Sequence, residues 1–154
     1  VYVLDLDGDG LRDLAVSAWD VDVSLVGDAA TKLRHVASGW LQADGVIPAR
    51  PAFSVTREFA LADVESVRDV PAFARDLTGN GRADFLESTQ GGNIEVRPLV
   101  ASGGGVAPAA DAAFRIPVDA ATAELEVQDL NGDGVGDFIV ARAGQIEIYL
   151  SQLR

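Results

Sequence analysis

The chain has 154 residues, of which 48% are hydrophobic; that suits one ordinary globular domain and is too apolar for a disordered segment. Its 24 acidic and 12 basic side chains leave a net charge of −12, so repulsion disfavours nucleic acid, anionic lipid and other polyanions as partners, while cations and neutral ligands stay open. With no Cys there is no disulfide framework, and with no apolar run near about 20 residues no membrane insertion is expected.

The chain opens at Val1 and contains no Met, which points to a processed or partial piece of a longer product. Residues 1–4, VYVL, have strand composition and run straight into the acidic nonapeptide DLDGDGLRD at 5–13. Strands are then expected near 13–18, 21–26 and 52–59, with 28–50 as a polar insertion loop marked by Gly39, Gly45, Pro48 and Pro51. A second unit starts near 70, with strands at about 70–75, 84–88, 93–99 and 112–118 and the Gly/Pro/Ala-rich SGGGVAPAAD as a surface loop. It carries a second nonapeptide, DLTGNGRAD, at 76–84. The third unit starts near 123, where AELEVQ leads into DLNGDGVGD at 129–137 and then DFIVARAGQIEIYL, two alternating strands around a short turn. The nonapeptides begin at 5, 76 and 129, and spacings of this order point to propellers or arrays. The chain therefore holds about two and a half units, and no helix of useful length is visible in it.

Within the nonapeptides, positions 1, 3, 5 and 9 are Asp5, Asp7, Asp9 and Asp13; Asp76, Thr78, Asn80 and Asp84; and Asp129, Asn131, Asp133 and Asp137. All are oxygen donors, the ligand type that Ca²⁺ takes in sets of six to eight. The backbone carbonyl at position 7, on Leu11, Arg82 or Val135, would add another ligand, which leaves that side chain free to vary. Positions 4 and 6 are Gly in every copy, as a chain coiling tightly around an ion requires. An EF-hand needs a bidentate acid at position 12 and flanking helices; position 12 is Val16, Glu87 and Val140, and the flanks have strand periodicity.

The stretches DLDGDGLRDLAV, DLTGNGRADFLE and DLNGDGVGDFIV resemble the FG-GAP/VCBS repeat family, the units of integrin α-subunit-like calcium-binding β-propellers. The resemblance implies an all-β fold, a partial β-propeller of four-stranded antiparallel blades with a calcium loop between the first two strands of each. It implies two or three Ca²⁺ ions. The first loop has four acids, the third three and the second two, so occupancy should fall in that order. Residues 1–154 form part of one such domain, and since propellers close with four to eight blades, the rest of the propeller or other subunits must complete the ring.

The other candidates favour plainer roles. His35 is the only histidine and has no motif partners, which suits a surface or loop residue. Trp19, Trp40, Tyr2 and Tyr149 suit packing better than sugar stacking, and Glu58, Glu65, Glu87, Glu124, Glu126 and Glu147 fall mostly in strand patterns instead of catalytic pairs. No enzyme activity is expected. At a Kd near 10⁻⁵ M, millimolar Ca²⁺ adds about 2.7 kcal/mol per site and submicromolar Ca²⁺ almost nothing, which favours an extracellular, cell-surface or periplasmic location. The expected function is a non-catalytic module for binding or adhesion to a protein or glycan ligand. A structural subunit of a surface assembly or filament, and the accessory propeller of a secreted enzyme, are the alternatives.

Overall fold

The computed structural model describes residues 1–22, 32–60, 70–89, 93–118, 124–142 and 144–152, and these form strands, turns and irregular segments without a helix. Twelve strands run in chain order: β1 (Tyr2–Leu4), β2 (Asp13–Asp22), β3 (Lys32–Trp40), β4 (Phe53–Ala60), β5 (Phe73–Ala74), β6 (Asp84–Ser88), β7 (Asn93–Ser102), β8 (Gly105–Pro108), β9 (Phe114–Pro117), β10 (Glu124–Gln128), β11 (Asp137–Arg142) and β12 (Gln145–Tyr149). They make three antiparallel sheets: β1-β2-β3-β4, then β5-β6-β7-β8 with β9 also on β7, then β10-β11-β12. Each sheet starts with a short strand, an acidic loop and a return strand, as the three nonapeptides predict. The three sheets do not close into a ring.

Two expectations change in the first sheet. Residues 32–40 are strand β3, inside the segment expected as an insertion loop, and β2 runs unbroken to Asp22 where a break and a new strand near 21 were expected; residues 23–26 of that expected strand lie outside the described residues. The reason is packing. Ala37 and Gly39 on β3 face the second sheet, and a Cβ on Gly39 would sit 2.4 Å from the Phe53 ring, so the strand needs small residues that read as loop composition. His35 is not on a loop either. It is half-buried on β3, stacked on Trp19 with ring centroids 4.5 Å apart, and its Nε2 lies 2.6 Å from Ser17 Oγ; burial holds it below its ordinary 6.5, against the pull of Glu87.

The second sheet differs too. SGGGVAPAAD is no surface loop: β7 continues to Ser102, turns through Gly103 and Gly104, both at positive φ, and returns as β8. Two consecutive left-handed residues are what the tight hairpin turn that matches strand twist requires. β5 spans only two residues of the expected 70–75, because Pro71 has no N–H to give the ladder.

Two buried clusters join the sheets in series. Phe53 from the first sheet meets Phe73, Phe85, Leu99 and Val106 from the second, and Tyr2 packs edge-on against Phe73 at 5.6 Å. Leu86, Ile94 and Val96 from the second sheet meet Phe138 and Val140 from the third. Consecutive residues Phe85 and Leu86 enter different clusters because strand side chains alternate, so the second sheet is covered on both faces. A ladder of ion pairs crosses from the first sheet to the second: Arg57 to Glu87 at 2.6 Å, Arg97 to Glu87 at 3.0 Å, Arg97 to Glu95, and Arg115 to Glu95 at 2.7 Å.

Candidate functional site

The acidic loops join β1 to β2, β5 to β6 and β10 to β11, and they coil in the same way. The first carboxylate in each clasps two glycine amides. Asp5 accepts from Gly8 at 2.7 Å and Gly10 at 2.9 Å, Asp76 from Gly79 at 2.7 Å and Gly81 at 2.6 Å, and Asp129 from Gly132 at 2.7 Å and Gly134 at 2.9 Å. All six glycines have φ between 75° and 88°, a conformation that side chains with a Cβ resist. At position 5, Asp9, Asn80 and Asp133 each accept from the amide two residues on, that of Leu11, Arg82 and Val135. At position 3, Asp7 and Asn131 do the same for Asp9 and Asp133, while the Thr78 hydroxyl donates to Asp84 at 3.1 Å.

The ninth residue has a second task. Asp13, Asp84 and Asp137 are fully buried, and each accepts from the amide seven residues back, that of Leu6, Leu77 and Leu130 at 2.7–2.9 Å. The other oxygen of Asp13 accepts from the Gln42 amide at 2.7 Å and that of Asp137 from the Ser151 amide at 2.8 Å, so these acids staple the loop to the rest of the sheet. Burial pushes Asp13 above its ordinary 3.8, with Asp7 and Asp9 adding to the rise against the two amides. Burial pushes Asp84 up to about 7, opposed by the Leu77 amide and the Thr78 hydroxyl.

Asp5, Asp7 and Asp13 bring one carboxylate oxygen each within 4.8 Å of one another, the only such acidic group among the described residues, and Asp9 stands outside it. None of the ion pairs between described residues involves a loop carboxylate. An amide bond occupies one lone pair of a carboxylate oxygen and leaves another for a cation. The second and third loops, with Thr78, Asn80 and Asn131 in place of acids, offer mixed sets of hydroxyl, amide and carboxylate oxygens.

Sequence reasoning missed how the loops hold each other. The Ala83 amide, at position 8 of the second loop, donates to the Asp5 carbonyl at 2.8 Å, and the Gly136 amide, at position 8 of the third, donates to the Asp76 carbonyl at 2.5 Å. Position 7 also separates the copies: Arg82 reaches back to the Asp7 carbonyl at 2.8 Å, Val135 is buried, and Leu11 is exposed. The small residues at position 8 were the available signal, since a Cβ on Gly136 would come within 2.9 Å of the Arg75 side chain. No family model and no curated protein sequence matches the chain.

Proposed function

We propose that this chain is a non-catalytic, calcium-stabilised part of a β-propeller that serves extracellular binding or adhesion. The observation that carries the calcium assignment is the convergence of Asp5, Asp7 and Asp13 carboxylate oxygens within 4.8 Å, in a loop whose glycine turns recur in two further copies. Like charges this close repel by about 4 kcal/mol per pair at an effective dielectric near 20, and a divalent cation removes that cost. In this reading Asp5, Asp7, Asp9 and Asp13 with the Leu11 carbonyl hold the first ion, and Asp129, Asn131, Asp133 and Asp137 with the Val135 carbonyl the second. Asp76, Thr78, Asn80 and Asp84 with the Arg82 carbonyl form the weakest set, since only two of its four side chains are carboxylates.

Bound calcium neutralises the loop and stiffens the joint between the first two strands of a sheet, and recognition falls to surfaces that the loops hold in place. Three antiparallel sheets packed in series, each opened by such a loop, support the blade reading. Calorimetric titration with CaCl₂ after chelation is the test: two or three exothermic or endothermic binding events are expected, and Asp7→Asn should weaken the tightest. Absence of binding heat together with an unchanged melting temperature would overturn the calcium reading. Screening the immobilised chain in millimolar calcium against glycan arrays and extracellular proteins tests adhesion, and no binding on either would overturn that part alone.

A further inference from the structure

A cavity of about 250 Å³ opens between the first and second sheets. Phe53 and Val55 of β4, Phe85 of β6 and Pro108 of β8 form its apolar walls, and Arg57 of β4 and Arg97 of β7 bring two guanidiniums to it. Pairing of β4 with β3 and of β8 with β7 fixes the two sides. The volume falls a little short of pockets that hold drug-sized ligands, so it suits a molecule with one small ring or a short chain.

The charges around this cavity are unbalanced. The ladder between the sheets sets Arg57, Arg97 and Arg115 against Glu87 and Glu95, three cations against two anions, in a chain whose net charge is −12. Arg97 is fixed in place: it donates to Glu87, to Glu95 and to the carbonyls of Ala109 and Ala110, and its side chain is 16% exposed. Arg57 is not spent in this way. Two of its N–H groups donate to Glu87, at 2.6 Å and 3.3 Å, and a guanidinium has five, so the other three have no partner among the described residues. Nor does sheet packing demand this arrangement. Phe85 pairs with Arg97 and Glu87 with Glu95, as Phe138 pairs with Tyr149 and Val140 with Glu147. The third sheet thus has Val140 and Tyr149 where the second has Glu87 and Arg97, and it packs against its neighbour without that ion pair. Withdrawing Arg97 from water carries a desolvation cost that an apolar residue avoids.

We propose that this cavity binds a small organic monocarboxylate, its carboxylate on the unpaired N–H groups of Arg57 beside Arg97 and its apolar body against Phe53, Val55, Phe85 and Pro108. The planar fork of a guanidinium matches a carboxylate, and one surplus positive charge matches one negative one. A phosphate monoester carries about −1.5 to −2 at pH 7, more than the surplus, and Glu87 stands beside it. A neutral ligand would cover the Arg57 donors without satisfying them. The site goes beyond the adhesion reading and needs neither it nor calcium, so it stands or falls separately.

Titration of the chain with sodium benzoate to about 20 mM at constant ionic strength, followed by amide NMR, is the test. Saturable shifts at the Val55, Ala109 and Ala110 amides are expected, with a Kd of about 1 mM or tighter. Benzamide, of nearly the same shape without the charge, and inorganic phosphate should each bind at least about tenfold more weakly. Arg57→Gln leaves Glu87 paired with Arg97 and should weaken benzoate at least about tenfold. Ala107→Leu fills the cavity, leaves every charge in place and should abolish the shifts. Arg34 lies on the opposite face of β3 from His35, and Arg34→Gln should leave the affinity unchanged. No saturable shift up to about 20 mM, benzamide or phosphate binding as tightly as benzoate, or full affinity in Arg57→Gln or Ala107→Leu would each overturn the proposal. The same spectra report whether each variant folds, and Ala107→Leu carries the test if Arg57→Gln does not.

Discussion

At the scale of single residues, Gly39 and Glu95 show how little freedom the packed faces leave. Alanine at 39 puts a methyl group 2.4 Å from the Phe53 ring and 3.0 Å from Leu6, both in the first inter-sheet cluster, so something must move. Gly39→Ala should cost about 1–3 kcal/mol of unfolding free energy, read as a lower urea midpoint with unchanged slope. Glu95 is buried between Arg115 and Arg97, and the Arg115 guanidinium, helped by Arg97, holds its carboxyl below the ordinary 4.5. A carboxylate with a lowered folded pKa stabilises above its unfolded value and loses that contribution as pH falls through the folded one. Glu95→Gln should therefore cost about 1–3 kcal/mol at pH 7, and the gap to the wild type should close as the pH drops below 4.5. Urea titrations of both chains at neutral and acid pH check this, and a gap that stays constant with pH would refute the ion-pair account.

At the scale of elements, the loops depend on glycine conformation more than on space. A Cβ on Gly10 or Gly134 meets nothing within 4 Å, yet both hold a positive φ near 85°. Gly10→Ala and Gly134→Ala should each lose about 1–2 kcal/mol, and the loss should appear with and without calcium because it is backbone strain. The glycine-and-carboxylate loops were legible because their donors and turns recur at fixed local offsets. β12 was legible because its large apolar residues, Ile146 and Ile148, fall on every second position, and β6 and β11 because short apolar runs, Phe85–Leu86 and Phe138–Val140, follow directly on the acidic loops. β3 was hidden by Ala37 and Gly39, small residues chosen to fit a neighbouring sheet, and β8 by Gly103 and Gly104, which look like loose composition and form a tight turn. In the site itself, the amide links from Ala83 and Gly136 and the staples from Asp13 and Asp137 join segments distant in sequence. No local pattern carries them, and they emerge only once the sheets stack.

At the scale of the whole molecule, a net charge of −12 and three acidic loops set the solution behaviour that calcium should change. Without a cation, loop carboxylates repel one another and the rest of the acidic surface, so the proposed calcium sites lead to the expectation that the ion-free chain is the less stable form. At a Kd near 10⁻⁵ M, about 1 mM Ca²⁺ contributes about 2.7 kcal/mol per site by mass action. For a chain of this size that corresponds to a rise in Tm of roughly 5–10 °C per occupied site. Simple screening also raises stability, but it does not distinguish between divalent ions of the same charge. Coordination does, because Mg²⁺ demands shorter octahedral bonds and keeps its waters, while Ca²⁺ accepts the larger and less regular oxygen sets these loops present. Thermal melts in chelator, in Mg²⁺ and in Ca²⁺ at equal concentration therefore separate the two effects. The expected order is chelator lowest, Mg²⁺ slightly higher and Ca²⁺ well above both, with Asp7→Asn removing the largest single share of the calcium shift. Equal shifts in Mg²⁺ and Ca²⁺ would reduce the loops to screened turns, held by their own glycine amides.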